Sequence, residues 1–269
     1  MKYDLTVSIV LYIDKNYGDL NTFKKCINSL LKTKLSIKIF VIDNSPKKNK
    51  INVLKDDRIE YIFLGKNIGF GKAHNFAINK IHGLSKYHLI LNPDVYFDED
   101  VLEKLKNFMD ENKNIVAVTP KILYENGNIQ HLCKLLPSPV DLIFRRFIPF
   151  KSYLEKRNYF YEMRYKDYGK MFYCPVISGS FMFVRSEILT KLNGFDKRFF
   201  LYMEDVDLCR RMLQHGKIAY FPFAKVYHKF ERGSYKKFKY TLIHIVSAIK
   251  YFNKWGWLDG RKQINKKFI

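Results

Sequence analysis

Four short runs, TVSIVLYI (6–13), IKIFVID (37–43), IEYIFLG (59–65) and YHLILN (87–92), are apolar almost without interruption. A strand with one wet face alternates apolar and polar residues, so runs of this kind belong to strands covered on both faces. Between them, LNTFKKCINSLLK (20–32) sets Phe23, Ile27, Leu30 and Leu31 on one helical face, and GKAHNFAINKI (71–81) does so with Ala73, Ala77, Ile78 and Ile81. Strands alternating with helices of this length need parallel crossovers. The chain is therefore expected to fold as an open α/β sheet, with its ligands at the carboxyl ends of the strands.

The pattern continues with an amphipathic helix, VLEKLKNFMDE (101–111), then with IVAVTPKILYENGNIQHL, read as a strand and a hairpin turning at Asn126-Gly127. From Pro137 to about Lys170 the chain is aromatic and basic with weak periodicity, as in a substrate-facing insertion or lid. CPVISGSFMFVRSEILTKLNGF resumes with a strand and a short helix. MEDVDLCRRMLQHG reads as a helix with an acidic start, a buried stripe of Leu208 and Met212, and a stop at Gly216. Strand-like KIAYFPFAKVYHKF and a last helix follow. The expected organisation is one domain over 1–233, divided near residue 98 and carrying the 137–170 insertion, with a basic amphipathic extension over 234–269.

At 269 residues and 47% hydrophobic content, the chain can bury a substantial core. The apolar run near the N-terminus is too short for a secretory signal and has no small-residue cleavage site, and no stretch reaches eighteen apolar residues. Four scattered cysteines without a CxxC pair read as free thiols in a reducing compartment. Lys and Arg number 48 against 26 Asp and Glu, a balance that suits nucleic acid, an acidic membrane or a phosphorylated substrate without choosing among them. No recognition helix, zinc knuckle or RRM-like signature accompanies it, so no specific nucleic acid is expected.

The polar candidates gather at the strand ends: Asp43 and Asn44, Lys66 and Asn67, and Asn92 and Asp94 within HLILNPDVYFDED. Each alone is ordinary turn chemistry; together, at successive crossovers, they outline a site. KNIGFGKAHN (66–75) lacks the lysine-serine ending of a triphosphate loop, and its GxGxxN spacing misses the dinucleotide fingerprint. Gly69 and Gly71 are expected to let the backbone approach a ligand, with Lys72 as a point charge on phosphate. Asp94 is a hard oxygen donor. With His228 from a distant strand it suits a divalent ion bridging two phosphates, although His228 alone is equally a structural residue and Glu204-Asp205-x-Asp207 equally an acidic helix start.

LILNPDVYF resembles the sugar-nucleotide and metal-binding motif of the inverting GT-A-type glycosyltransferase family 2, in the Asn-Pro-Asp subgroup that includes bacterial rhamnosyltransferases. VISGSFMFVRSEILTKLNGFDKRFFLYMEDVDLCRRMLQHGKIAYFPFAKVYH is similar to that subgroup's acceptor half. IFVIDNS and KNIGFGKAHN are similar to its donor half, so the likeness covers roughly residues 5–235. It implies a GT-A (Rossmann-like) catalytic domain with a mostly parallel central sheet, its donor half about 1–98 and its acceptor half 99–233. On the donor side it implies Tyr12, Asp43 at the nucleobase, Asn67, Gly71, Lys72, Asn75, Asn92 and Asp94. Asp94 and His228 would hold Mg²⁺ or Mn²⁺, Asp205 would be the catalytic base with Glu204 beside it, and Gly179, Glu204 and Arg211 would face the acceptor. The implied donor is dTDP-L-rhamnose or, alternatively, a UDP-sugar. The implied acceptor is a lipid-linked saccharide of bacterial surface polysaccharide such as O-antigen or capsule, at the cytoplasmic face of the inner membrane. A catalytically dead nucleotide- or carbohydrate-binding protein is the non-enzyme alternative. Lys72-Ala73-His74 and Tyr12 depart from the subgroup, which has smaller residues there.

In the tail, Tyr235, Phe238, Leu242, Ile245, Ile249 and Phe252 recur at three and four, and residues 231–269 hold 10 Lys or Arg against two acids. An interfacial helix on anionic lipid has this composition, and so does a stripe packed on the core or on a second subunit of a homo-oligomer.

Overall fold

The computed structural model describes residues 1–13, 18–48, 51, 55–98, 100–143, 150–229, 238–257 and 260–269. The expected strands and helices of the first half are present: β1 (Tyr3–Leu11), α1 (Leu20–Leu31), β2 (Ile37–Asp43), β3 (Ile59–Phe63), α2 (Phe70–Ile78), β4 (Ser85–Leu91), β5 (Val95–Phe97) and α3 (Val101–Glu111). The second half adds β6 (Ile115–Leu123), α4 (Pro139–Leu142), α5 (Lys151–Tyr161), β7 (Phe172–Tyr173), β8 (Phe181–Arg185), α6 (Ser186–Lys191), α7 (Glu204–Met212), β9 (Lys217–His228), α8 (Phe238–Trp255) and α9 (Arg261–Asn265).

Among these, one nine-stranded sheet runs β3-β2-β1-β4-β8-β6-β9-β5, with β7 on β9. Pairing is parallel from β3 to β4 and between β6 and β9, whereas β8 is antiparallel to both neighbours. Both faces are covered. Leu5, Val7, Ile9 and Leu11 of β1 pack in one core with Phe23, Ile27, Leu105 and Met109 of α1 and α3; Val10, on the opposite face, packs with Ala73, Ala77, Leu208 and Met212 of α2 and α7.

On that second face β1 carries Thr6 and Ser8, and the parallel register sets Thr6 beside His88 of β4. Thr6 Oγ1 lies 2.8 Å from His88 Nδ1, Ser8 Oγ 2.9 Å from His88 Nε2, and Ser8 Oγ 2.7 Å from His74 Nδ1 on α2. Both imidazoles are fully buried. Burial pushes the His88 pKa down to about 3, and burial together with the neighbouring His88 pushes His74 well down, so both are neutral.

Two expectations are corrected. The Asn126-Gly127 reversal is tight, with Tyr124 N–H on Asn128 C=O at 2.8 Å, but it returns with one bridge, Leu123 to Ile129, rather than a second strand. In the described part of the 137–170 stretch, Ser138 and Asp141 form a capping box on α4 and Tyr161, Met163 and Tyr168 lie in the core, while Phe150, Tyr153, Tyr159 and Phe160 are exposed. Gly216 does not stop α7, which ends at Met212. A Cβ at Gly216 would stand 2.5 Å from Val116 Cγ1 and 2.6 Å from Asn114 C=O, so glycine there admits a close approach to the start of β6. The tail's stripe divides: Phe252 joins the face that α8 buries, and Leu242 and Ile249 stay on its outer side. Ser247, Ala248, Tyr251 and Phe252 are buried, while Leu242 and Ile249 remain 48% and 39% exposed. A face with Ala248 and Ser247 at its middle lets the helix lie closer to the core than the bulkier stripe would. Tyr235, the side chain of Phe238 and the 233/234 boundary fall outside the described residues. No helix among those described is long and apolar enough to cross a membrane.

The buried histidine pair makes stability depend on pH. Unfolded histidine takes up a proton near pH 6.5, whereas these two resist it far below that, so their contribution is whole above 6.5 and is lost on acidification at about 1.4 kcal/mol per pH unit for each. On going from pH 7.5 to 5.5, His88→Gln should lose about 1.4 kcal/mol less urea-unfolding stability than the wild type, one histidine's share. An identical loss in the two proteins would refute a neutral His88.

Candidate active site

The strand ends place the candidate residues. β4 ends at Leu91; Asn92 N–H donates to Ser180 C=O at 2.9 Å, and after Pro93 and Asp94 the chain re-enters the sheet as β5. β5 runs antiparallel to β9 with Val95 opposite His228, and this register brings a residue late in the chain to Asp94. Asp94 Oδ1 lies 3.3 Å from His228 Nε2. Although close, the two do not form a hydrogen bond, and Asp94 Oδ1 is buried without such a partner.

Gln130 explains the geometry. Its Nε2 donates to His228 C=O at 2.8 Å and to Leu123 C=O at 3.4 Å, so its Oε1 is the atom 3.0 Å from His228 Nδ1. A carbonyl oxygen accepts, hence Nδ1 carries a proton, and in the neutral tautomer this leaves the lone pair on Nε2, toward Asp94. A carboxylate oxygen and an imine nitrogen at 3.3 Å repel unless a cation or proton lies between them. Cys26 donates its S–H to Asn92 C=O at 3.6 Å, and burial with the nearby Asp94 charge holds its thiol far above the usual pKa. The described residues contain no set of three His, Cys, Asp or Glu around one point. A cation here would complete its shell with water and substrate oxygens, as Mg²⁺ commonly does. Gln130 is invisible to a motif search, since its signal is a single glutamine after the Asn-Gly turn.

At the neighbouring end of β2, Asp43 is fully buried. Its Oδ1 accepts from Ser45 N–H at 2.9 Å and its Oδ2 accepts the Tyr61 hydroxyl. Tyr61, a strand residue with no motif around it, is a second group the sequence did not reveal. Asn44 and Asn67 fix the loop that follows β3: Asn44 Nδ2 donates to Asn67 Oδ1 at 3.1 Å and to Gly69 C=O at 3.3 Å, and Asn67 Oδ1 also accepts Gly69 N–H at 2.9 Å. Tyr12 is half-buried just past the end of β1.

The glycine segment does other work than expected. Gly69 has φ +95°, and a Cβ on it would stand 2.3 Å from Phe200 C=O; one on Gly71 would stand 2.8 Å from Phe195 Cβ. Asn75 is buried, donating to Phe195 C=O at 2.9 Å and accepting Phe195 N–H at 2.8 Å. Gly71 and Asn75, expected at the donor, thus join α2 to the 194–200 loop, and the close approach that needs glycine is that of this chain's own backbone. Lys72 sits half-buried in the first turn of α2.

That loop leads into α7 through Tyr202 and Met203, both at φ 68°. Consecutive left-handed residues that are not glycine cost about 1–3 kcal/mol each, and such strain concentrates at functional sites. It delivers Glu204 and Asp205. Asp205 is half-buried, its Oδ2 accepting Gly179 N–H at 3.3 Å and its Oδ1 accepting Val206 N–H at 2.8 Å. Glu204 is buried with Oε2 unpartnered. Burial first, and the Asp205 charge second, raise its pKa to about 8 against the pull of the Glu204 and Tyr202 backbone N–H groups. Near neutral pH the pair is one carboxylic acid beside one carboxylate. Arg211, expected at the acceptor, instead binds Asp207 Oδ2 at 2.9 Å, Leu192 C=O at 3.0 Å and Gly194 C=O at 2.8 Å, and so braces the turn before the loop.

The two corners meet at residues 178–180. Gly179 N–H holds Asp205, and Ser180 C=O holds the Asn92 turn that presents Asp94. A half-buried carboxylate beside a neutral acid, linked by three residues to a cation-ready pair, is equipped to take a proton on one side of a reacting centre and stabilise an anion on the other.

The family model described as Glycosyl transferase family 2 matches residues 15–189, so Asp205 and His228 lie beyond its end. Rhamnosyltransferase WbbL of Escherichia coli (strain K12) is 26% identical over 261 residues, covering 94% of this chain and 96% of that protein. The N-acetylglucosaminyl-diphospho-decaprenol L-rhamnosyltransferase of Mycobacterium tuberculosis (strain ATCC 25618 / H37Rv) is 27% identical over 177 residues, 61% of this chain, and the match spans 56% of that protein's length. Among solved structures, GalNAc-T7 with UDP, GalNAc and Mn²⁺ shares the fold at TM-score 0.60 and 16% identity, over 86% of this chain and 44% of that one. With more than half of its length matched by the family model, the chain belongs to glycosyl transferase family 2 and is a glycosyltransferase of the GT-A fold.

Proposed function

We propose that the chain transfers a sugar from a nucleoside diphosphate to a hydroxyl of a saccharide acceptor, with inversion at the anomeric carbon and Asp205 as general base. The observation that carries this reading is the double attachment of residues 178–180, to Asp205 through Gly179 and to the Asp94 turn through Ser180. As the acceptor oxygen forms its bond to the anomeric carbon, Asp205 takes the hydroxyl proton. The bond from that carbon to the diphosphate oxygen breaks, and its electron pair leaves with the diphosphate. Neutral Glu204 adds no second negative charge beside the base and has a proton to donate to a sugar hydroxyl.

Asp94 and His228 fit a divalent cation, because Asp94 Oδ1 is buried without a hydrogen-bond partner and the Gln130 contact selects the ligating tautomer of His228. Mg²⁺ or Mn²⁺ bound there would supply positive charge to the departing diphosphate. Asp43, expected at the nucleobase, is fully buried with its two oxygens accepting Ser45 N–H and the Tyr61 hydroxyl, so it supports the strand end and expresses no preference between bases. The names of both sequence relatives support rhamnose as the transferred sugar, and dTDP-L-rhamnose is the donor we propose for it. A UDP-sugar is the second reading, favoured by the UDP in the fold's structural neighbour.

The acceptor we favour is lipid-linked, reached from the cytoplasmic side of a membrane. The support is the outer face of α8, where Leu242, Val246 and Ile249 are 48%, 49% and 39% exposed on a helix with no acidic residue. An apolar ridge on a cationic helix is suited to an anionic lipid surface.

Asp205→Asn should lower turnover on the order of 10²-fold while donor affinity stays within twofold. The wild type should lose rate near pH 8, where Glu204 ionises, and Glu204→Gln should be mild at pH 7 and lack that alkaline loss. Product mass, read over a panel of nucleotide sugars and saccharide acceptors, checks both; wild-type transfer by Asp205→Asn would exclude the base.

Calorimetry with UDP and dTDP in Mn²⁺ should give affinities that EDTA reduces. Gln130→Leu should weaken the metal-dependent part by roughly 10–100-fold, the usual effect of removing the group that orients a metal-bound histidine. Affinity indifferent to EDTA would remove the metal from the reading.

Flotation with anionic vesicles should recover the wild type and lose a Leu242→Ser/Val246→Ser/Ile249→Ser variant. Equal recovery of the two would leave the α8 ridge without a lipid role.

A further inference from the structure

The terminal helix α8 carries more than an outward ridge, because its inward face grips the segment that aims the proposed base at each of its turns. His244 packs edge-to-face on Tyr202 with ring centroids 5.2 Å apart, and Ser247 Oγ donates to Leu201 C=O at 2.8 Å. Lys250 Nζ donates to Arg198 C=O at 3.0 Å. Lys254 Nζ lies 2.7 Å from Asp196 Oδ2 and 2.6 Å from Asp207 Oδ1. Trp255 Nε1–H donates to the same Asp207 oxygen at 2.7 Å, and the Arg210 guanidinium stacks 4.4 Å above the Trp255 ring. Asp207, fully buried, follows Asp205 by two residues in the first turn of α7.

These contacts bracket the left-handed corner at Tyr202 and Met203. Strained backbone of this kind persists only where its surroundings over-determine it. Here α8 holds the approach to the corner at 196, 198 and 201, the corner itself at 202, and its exit at 207 and 210. We propose that α8 is part of the catalytic unit, and that Asp207, Lys254 and Trp255 are positioning residues that hold the corner and thereby aim Asp205. The proposal rests on Asp205 being the base. It also makes the basic extension, expected from sequence to be an appendage, inseparable from turnover.

Lys254→Met is the informative variant, because each carboxylate that it releases keeps another cation: Asp196 keeps Arg198 and Asp207 keeps Arg211. Lys254→Arg restores a cation, and Trp255→Phe keeps a ring for Arg210 while removing the N–H. Three quantities are read on the full chain: kcat with a soluble acceptor, affinity for Mn²⁺-loaded UDP or dTDP by calorimetry, and amide exchange over 201–206 against 92–95. Lys254→Met and Trp255→Phe should lower kcat by about tenfold, leave nucleotide affinity within twofold and speed exchange over 201–206 alone, and Lys254→Arg should recover most of the rate. Unchanged kcat overturns the proposal even if exchange rises, and so does a parallel loss of nucleotide affinity and of protection at 92–95, which would mean general loosening. Wild-type turnover by Asp205→Asn would overturn the base assignment itself, an outcome separable from these because it leaves the exchange pattern of Lys254→Met untouched.

Discussion

The two halves of this enzyme are joined at a seam where backbone meets backbone. Gly69 lies against Phe200 with no room for a side chain, Phe70 N–H donates to Phe200 C=O at 2.9 Å, and Gly71 lies under Phe195. Asn75 pairs with both backbone groups of Phe195, and Gly194 must lack a Cβ because Asn75 Oδ1 would stand 2.3 Å from it. Packing at this density transmits position, since neither side can shift without breaking hydrogen bonds in a dry interface. The donor-side strand ends and the loop that leads to Asp205 are therefore fixed to one another, and the rest of the site is arranged around that fixed distance.

Much of the architecture was legible in the sequence because the physics that selects it is local. Continuous apolar runs, helical periodicity and the helix over 101–111 all express one residue's relation to its near neighbours. The cation-ready corner was legible through Asp94 and His228 as residue types. What the sequence withheld was partnership: Gln130 on His228 and Tyr61 on Asp43 depend on strand register and loop path, for which a single glutamine or tyrosine carries no local mark. Asn75, Gly71 and Arg211 were misread for the same reason, because a polar residue or glycine near a strand end looks alike whether its partner is a ligand or another part of the chain. In the tail the three-and-four stripe was legible, but the burial of Ser247, Ala248 and Tyr251 was not, because small and polar residues on a helix carry no apolar signal.

Charge is distributed with a similar economy. A chain with a formal net charge of +22 keeps its buried acids where cations or backbone N–H groups already converge, as at Asp207 and Asp205, and leaves one acid, Glu204, too dry to ionise readily. The buried histidines under β1 and β4 follow the opposite rule, held neutral between hydroxyl groups.

The pairing of Val95 with His228 has a consequence for biogenesis. β9 is the last of the described strands in chain order, yet it lies between β6 and β5, and its pairing with β5 brings His228 to Asp94. During synthesis the strands β1 to β4 emerge first and are able to collapse into a parallel layer while this corner is still half-built. Under the function proposed above, nucleotide capture through that corner would be reserved for chains that have paired β9, and ligand binding would stabilise completed molecules over partly assembled ones.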